Sequence, residues 1–301
     1  MTVVYACDEN YVAITVVSAV SLLKYNNAAH VVLLGCNLSQ EKVNLVKVSI
    51  EKAGGVFTHV DVGQKINSLQ QLGVSKYVSH AVYARIFIAD LLPDMRGKVL
   101  YIDCDTLVVD SVEDIFKLKM GSSPIALAPD VVHDAYKKVI SLEKSKTYYN
   151  TGVALIDLEN WRTLSCAKRI LDELVSPHGK NPLGDQDVIV RVLNDEIVKL
   201  PRCWNFLSQY FLLGVDEKPK IYHFSGNTLG RPWYNSSRHP IRKQYIEAAK
   251  EAGLLKVVFQ EKQMPIEYKI QYLLWRLLPG FIYRHIFYLM LRVHIFIAYS
   301  V

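Results

Sequence analysis

Two hydropathy regimes take turns along this chain. Short runs of β-branched and aliphatic residues close on polar or glycine-rich turns, and stretches with apolar residues three and four apart separate them. The runs at 2–7, 30–35 and 56–60 predict buried strands. Between them, 12–23 and 39–52 predict helices, the second with Ser39 as N-cap and Ala53-Gly54-Gly55 past its end. This alternation predicts a parallel sheet in the first half. Further on, 77–92 reads as an apolar helix stopped by Pro93, and 98–109 as one strand buried on both faces. Residues 111–115 start a short amphipathic helix, 124–128 and 148–158 read as strands, and 221–226 is a short strand ending in His223 and Gly226. After residue 240 the pattern changes: 268–278 and 281–301 mix aromatic, aliphatic and basic residues around Pro279-Gly280.

Within the run at 98–109, two carboxylates interrupt the apolar residues, Asp103 and Asp105. Aspartate is a poor strand former, and its charge is costly in a core. Both therefore belong where the strand emerges, the ligand crevice of an open α/β sheet. With one residue between them they project to the same side, and neighbouring carboxylates stay ionised cheaply only beside a cation. A hard divalent ion that keeps positions open for phosphate oxygens satisfies this; a turn with two solvated acids is the bland alternative.

Other polar residues fall at the ends of the same elements. The first strand runs into Asp8-Glu9-Asn10-Tyr11 and has neither GxGxxG nor GxxxxGK[ST]. Asp8 and Asn10 suit a base edge or ribose and Tyr11 a ring to stack on; equally, Asp8 or Asn10 suits a helix N-cap. Arg85 stands among apolar residues and needs an anion, either a ligand or a buried partner such as Asp103 or Asp185. Asp130 ends a strand as the earlier acids do, and Gly152 in Asn150-Thr151-Gly152 lets a ligand approach the backbone. Asp185-Gln186-Asp187 stands just before a helix, with Asp185 placed to cap it. His223, Gly226 and Arg231 offer an imidazole, a backbone approach point and a cation, although a lone histidine on an apolar strand is more often a packed core residue.

Composition sets bounds on these readings. Half of the 301 residues are hydrophobic and 21% are charged, enough for one large α/β domain or for one domain plus an appendage. A net charge of +6 suits anionic small molecules or a membrane surface, and no nucleic-acid motif accompanies it, so nucleic acid is not an expected partner. Five scattered cysteines without a CxxC pair point to a reducing compartment, and no signal-peptide pattern opens the chain.

Taken in order, Ala6-Cys7-Asp8-Glu9-Asn10-Tyr11, Tyr83-Ala84-Arg85, Leu100-Tyr101-Ile102-Asp103-Cys104-Asp105, Tyr149-Asn150-Thr151-Gly152-Val153, Asp185-Gln186-Asp187, Trp204-Asn205 and His223-Phe224-Ser225-Gly226 through Arg231-Pro232-Trp233 resemble glycosyltransferase family 8 across residues 2–235. That family includes bacterial lipopolysaccharide galactosyl- and glucosyltransferases and glycogenin. The resemblance implies a GT-A-type, Rossmann-like mixed α/β sheet flanked by helices, retention of the donor's anomeric configuration, a UDP-sugar donor and Mn²⁺ or another divalent cation. Carried over residue by residue, Asp103, Asp105 and His223 bind the metal, while Ala6, Asp8, Asn10 and Tyr11 hold the uridine end. Arg85, Asn150 and Asp185 hold the donor sugar, Gly226 and Arg231 face the diphosphate, Gln186 lies near the reacting carbon and Asp130 near the acceptor. The expected reaction moves galactose or glucose from UDP-galactose or UDP-glucose to a cell-surface glycan or glycolipid such as a lipopolysaccharide core, by front-face attack. A nucleotidyltransferase and a non-catalytic nucleotide-sugar-binding protein are the alternatives.

The domain expectation is a catalytic unit at 1–240, a connecting helix at 241–265 and an amphipathic, membrane-associating tail at 266–301. The last segment is long enough to span a bilayer, but Arg284, His285, Arg292 and His294 interrupt it and favour an interfacial seat. A helical pair packed on the catalytic core is the alternative. The expected location is the cytoplasm, at the inner face of the cell membrane.

Overall fold

A computed structural model describes residues 1–70, 80–176, 180–226, 229–259 and 264–299. A seven-stranded sheet forms its centre. In chain order its strands are β1 (Thr2–Cys7), β2 (His30–Gly35), β3 (Val56–Asp61), β4 (Lys98–Ile102), β6 (Ile125–Pro129), β7 (Tyr149–Asp157) and β8 (Ile197–Lys199), with β5 (Thr106–Val108), β9 (Phe206–Leu207) and β10 (Ile221–His223) in a second sheet. The spatial order is β3-β2-β1-β4-β7-β6-β8, parallel from β3 to β4 and then antiparallel at β7. The smaller sheet runs β5-β10-β9. Strands β1, β4 and β7 are buried almost throughout because helices cover both faces.

The short helix expected from residue 111 is a 3₁₀ helix over Glu113–Lys117, the strand expected at 221–226 ends at His223, and two elements depart further. The run at 98–109 is two strands, since β4 ends at Ile102 in the large sheet and β5 begins at Thr106 in the small one. The carboxylates occupy the crossing, where Asp103 N donates to Gly152 O at 2.7 Å and Phe224 N to Asp105 O at 2.8 Å. The helix expected at 77–92 is instead a 3₁₀ helix over His80–Phe87 followed by one α-turn at Ile88–Leu91, while Tyr77 to Ser79 lie outside the described residues. Eight residues is long for that winding, whose poorer hydrogen bonds rarely persist without tertiary support. Here Arg162 supplies support by donating to the carbonyls of Ala89 and Leu92, and Trp161 Nε1 does so by donating to Ile86 O at 3.2 Å.

Small polar residues in the helix Val12–Tyr25 stitch the crossing to the core. Ser18 shares hydrogen bonds with Tyr5 and Thr106, Ser21 Oγ accepts from Val108 N at 3.0 Å, and Thr106 Oγ1 donates to Asp103 O. The segment expected as a connector contains the helix Arg242–Glu251, whose Tyr245 and Ala249 are buried in the main core. The last two helices, Ile266–Leu277 and Gly280–Tyr299, also touch the catalytic fold. Tyr283 and Phe287 are buried in a cluster with Leu212 and Leu229, Ile295 joins a core cluster, and the Tyr299 ring meets Tyr136 edge-on.

Candidate active site

The crossing brings together what the sequence keeps 120 residues apart. One ligand atom each from Asp103, Asp105 and His223 lies within 4.8 Å of the others. His223 Nε2 is 3.3 Å from Asp105 Oδ1 and 3.9 Å from Asp103 Oδ2. The set fits a divalent metal on three counts. Two carboxylates and an imidazole are oxygen and nitrogen donors of the right kind. The floor beneath them is Gly152, where a Cβ would collide with the His223 ring and lie 2.7 Å from Asp103 Oδ2. The third count is the orientation of the imidazole. Asp130 Oδ2 can only accept from Asn150 Nδ2 (2.9 Å), so Asn150 turns its oxygen to Asn205 Nδ2 (2.8 Å), and Asn205 turns its own oxygen to His223 Nδ1 (2.9 Å). His223 therefore keeps a proton on Nδ1, which leaves Nε2 facing the aspartates, where its lone pair would serve a cation held between them.

Electrostatics at the crossing are strong. Burial works against the charge on Asp105, yet Arg231 and His223 hold its carboxyl well below the usual range. Arg231 Nη1 donates to Asp105 Oδ2 at 2.6 Å. Burial likewise opposes the charge on His223, but Asp105 and Asp103 raise it above the ordinary imidazole value. Arg85 is buried; its Nη1 donates to Thr151 O at 2.8 Å and lies 3.4 Å from Asp103 Oδ1, which also accepts from Tyr101. Arg85 Nε points its proton at Val82 O, so Asp185 Oδ2, 2.7 Å away, gains charge contact without an aligned hydrogen bond. Burial raises the Asp185 carboxyl to about 6 against the pull of Arg85. Asp185 does not cap the helix Asp185–Leu193, as the sequence allowed: Gly184 holds the N-cap position and Asp185 is the first helical residue.

Two adjoining cavities flank the triad. One of ≈ 210 Å³ is lined by Ala6, Asp8, Tyr11, Cys104 and Arg231 among others. Asp8 accepts from Asn10 N, and Asn10 is exposed and outside that lining. The other, ≈ 370 Å³, takes in Arg85, Asp130, Asn150, Asp185, Gln186 and Gly226. Asp103, Asp105, Val82 and Arg231 border both, so they form one cleft of the size small-molecule sites have. Gln186 is fully engaged: Oε1 faces Thr151 N at 3.2 Å, and Nε2 donates to Asp130 Oδ2 and Tyr148 Oη. Sequence reasoning assigned no role to Asn205, Thr151 or Tyr101. Asn205 belongs to the Trp204-Asn205 motif, but a neutral amide signals nothing until its partners are known.

The profile of the family described as Glycosyl transferase family 8 matches residues 2–236. The chain belongs to this family. Among family relatives it is 28% identical to General stress protein A of Bacillus subtilis (strain 168) over 191 residues, 57% of this chain and 65% of that protein. It is 25% identical to Lipopolysaccharide 1,2-glucosyltransferase of Escherichia coli (strain K12) over 220 residues, 68% and 64% of the two chains. The match thus spans just under two thirds of each of these relatives. Among solved structures, the galactosyltransferase LgtC in complex with donor and acceptor sugar analogs superposes with a TM-score of 0.72 at 22% identity, over 89% of this chain and 99% of that one. The family 8 chain therefore has the GT-A fold its motifs indicated. The seven motif groups all fall on the cleft or its support, which is why they carried the family from sequence alone.

Proposed function

We propose that this family 8 protein is a retaining, divalent-metal-dependent glycosyltransferase that moves galactose or glucose from a UDP-sugar to a lipopolysaccharide core or similar glycolipid. The observation that carries this is the Asp103–Asp105–His223 triad at the waist of the cleft, between residues suited to a nucleoside and residues suited to a sugar. Similarity to a lipopolysaccharide glucosyltransferase and to a galactosyltransferase supports the hexose.

Asp103, Asp105 and His223 would hold the ion, manganese by family habit, which would neutralise charge gathering on the diphosphate as its bond to the sugar breaks. Arg231 adds a second positive charge at that end of the cleft. Tyr11 and Asp8 receive uridine, and the unaligned Asp185 Oδ2 accepts from a sugar hydroxyl beside Arg85. Gln186 is a poor nucleophile whose carbonyl already faces Thr151, which supports front-face attack. In that path the acceptor oxygen bonds the anomeric carbon, the sugar–phosphate bond breaks on the same face, and the acceptor's proton passes to the leaving phosphate oxygen. Asp130 stands at the acceptor side, oriented by Val131 N, Asn150 and Gln186.

Location follows from the tail. Ile266, Ile270, Leu273, Leu277, Phe281, Leu289, Phe296 and Ile297 are exposed there, alongside Arg276 and Arg292. The helix Gly280–Tyr299 is long and apolar enough to cross a bilayer, but its arginines suit a seat on the inner membrane face. Incubation with UDP-galactose or UDP-glucose and Mn²⁺ should release UDP and free sugar, stop on chelation, and fall by more than ~100-fold in D103N and D105N, the scale of several kcal/mol of lost charge stabilisation. Metal-independent turnover, or release of UMP in place of UDP, refutes the assignment.

A further inference from the structure

A separate cavity of ≈ 280 Å³ opens beside the sugar end of the cleft, and the two share Asp130, Val131 and Val132. Its walls bring together Arg202, from the catalytic fold, and Arg284 and Tyr288, from the last helix. Arg284 and Tyr288 are four residues apart and so lie on one helix face. That face is fixed in place, because the neighbouring Tyr283 and Phe287 are buried against Leu212 and Leu229.

The pocket's charge is unbalanced. Among the described residues Arg284 has no ion pair, and Arg202 pairs with one carboxylate, Glu217, at 3.3 Å in a half-exposed pair of the kind worth little, while its guanidinium lies over the Tyr210 ring at 5.7 Å. Asp130 is the one carboxylate in the lining, and its oxygens already accept from Val131 N, Asn150 and Gln186. Two guanidiniums and a tyrosine lining one cavity match a phosphate or carboxylate in charge and in donor type.

We propose that Arg202 and Arg284 hold an anionic group, phosphate or carboxylate, carried by the acceptor itself, so that its reactive hydroxyl is delivered past Asp130. The proposal names the acceptor class for the transfer reaction above and rests on Asp130 marking the acceptor side. It also gives the tail a part in substrate recognition, separate from membrane contact.

The test uses the full chain saturated with UDP and Mn²⁺, titrated with glucose 6-phosphate and with methyl glucoside as neutral control. The phosphorylated sugar should bind at least about tenfold more tightly, and R202Q and R284Q should each remove most of that advantage, with R284K keeping part of it. Equal binding of the two sugars, or an advantage that survives the R202Q/R284Q double substitution, overturns the proposal. Anionic vesicles form a second arm: if R284Q weakens vesicle binding and leaves the sugar phosphate untouched, the arginines serve lipid headgroups and the acceptor assignment falls. UDP titration of the same proteins reads the donor site by itself, so its failure would count against the donor assignment alone.

Discussion

Asn205 is buried, uncharged and bonded on both sides, to His223 Nδ1 and to Asn150 Oδ1. It decides which imidazole nitrogen faces the aspartates. Asn205→Ala should lower Mn²⁺ affinity by about 10- to 100-fold, as loss of a ligand's orienting partner does, read by titration of the metal against a fold checked by circular dichroism. No residue-type signal could have found it: its partners lie 18 and 55 positions away, and an amide has no charge to declare a role. Asp185 gives a second test. Burial raises its carboxyl from 3.8 to about 6, so its stabilising contribution is present below pH 4 and is lost as pH rises through 6. Two pH units correspond to about 3 kcal/mol. Urea unfolding at pH 4 and pH 8 should therefore show D185N gaining stability relative to the parent by roughly that amount at the higher pH, while donor hydrolysis falls. A pH-independent difference would refute the buried, charge-strained carboxylate.

Strand β7 does more than fill the sheet. It carries Asn150, Thr151 and Gly152, which orient His223's partner, accept from Arg85 and leave room for the triad. Gly152→Ala should cut metal affinity by at least about tenfold with the strand intact, since the new methyl displaces the His223 ring; calorimetric Mn²⁺ binding would show it. The sequence marked this glycine as a point of close approach but not what approaches, which proves to be the His223 ring and the Asp103 carboxylate. Strand identity was legible wherever one period ran unbroken, as in β1, β2 and β7. It failed at 98–109, where apolar residues on both sides of the acids disguise a change of sheet. It failed again at His80–Phe87, because apolar content reports burial and not the pitch of the helix winding through it.

At the scale of the molecule, the family 8 core was readable because four of its seven motif groups sit at strand ends, where local residue type and global position coincide. The tail's composition was equally plain. Its seat on the core was not, since Arg284 reaches residues 130 and 202 only through tertiary packing. The exposed stripe of Ile270, Leu273 and Phe296 should carry membrane contact: L273E with F296E should move the protein from the vesicle pellet to the supernatant while donor hydrolysis is retained. Pelleting unchanged by both substitutions would return the tail to a purely internal role. One further consequence follows from the place where the chain changes sheets. Asp103 ends the large sheet, whereas Asp105 and His223 are tied to the small one, so any cation gripped by all three spans a seam between two independently hydrogen-bonded layers. Cation arrival would then act as a rivet across that seam, and the protein's resistance to heat and proteolysis would track its divalent supply.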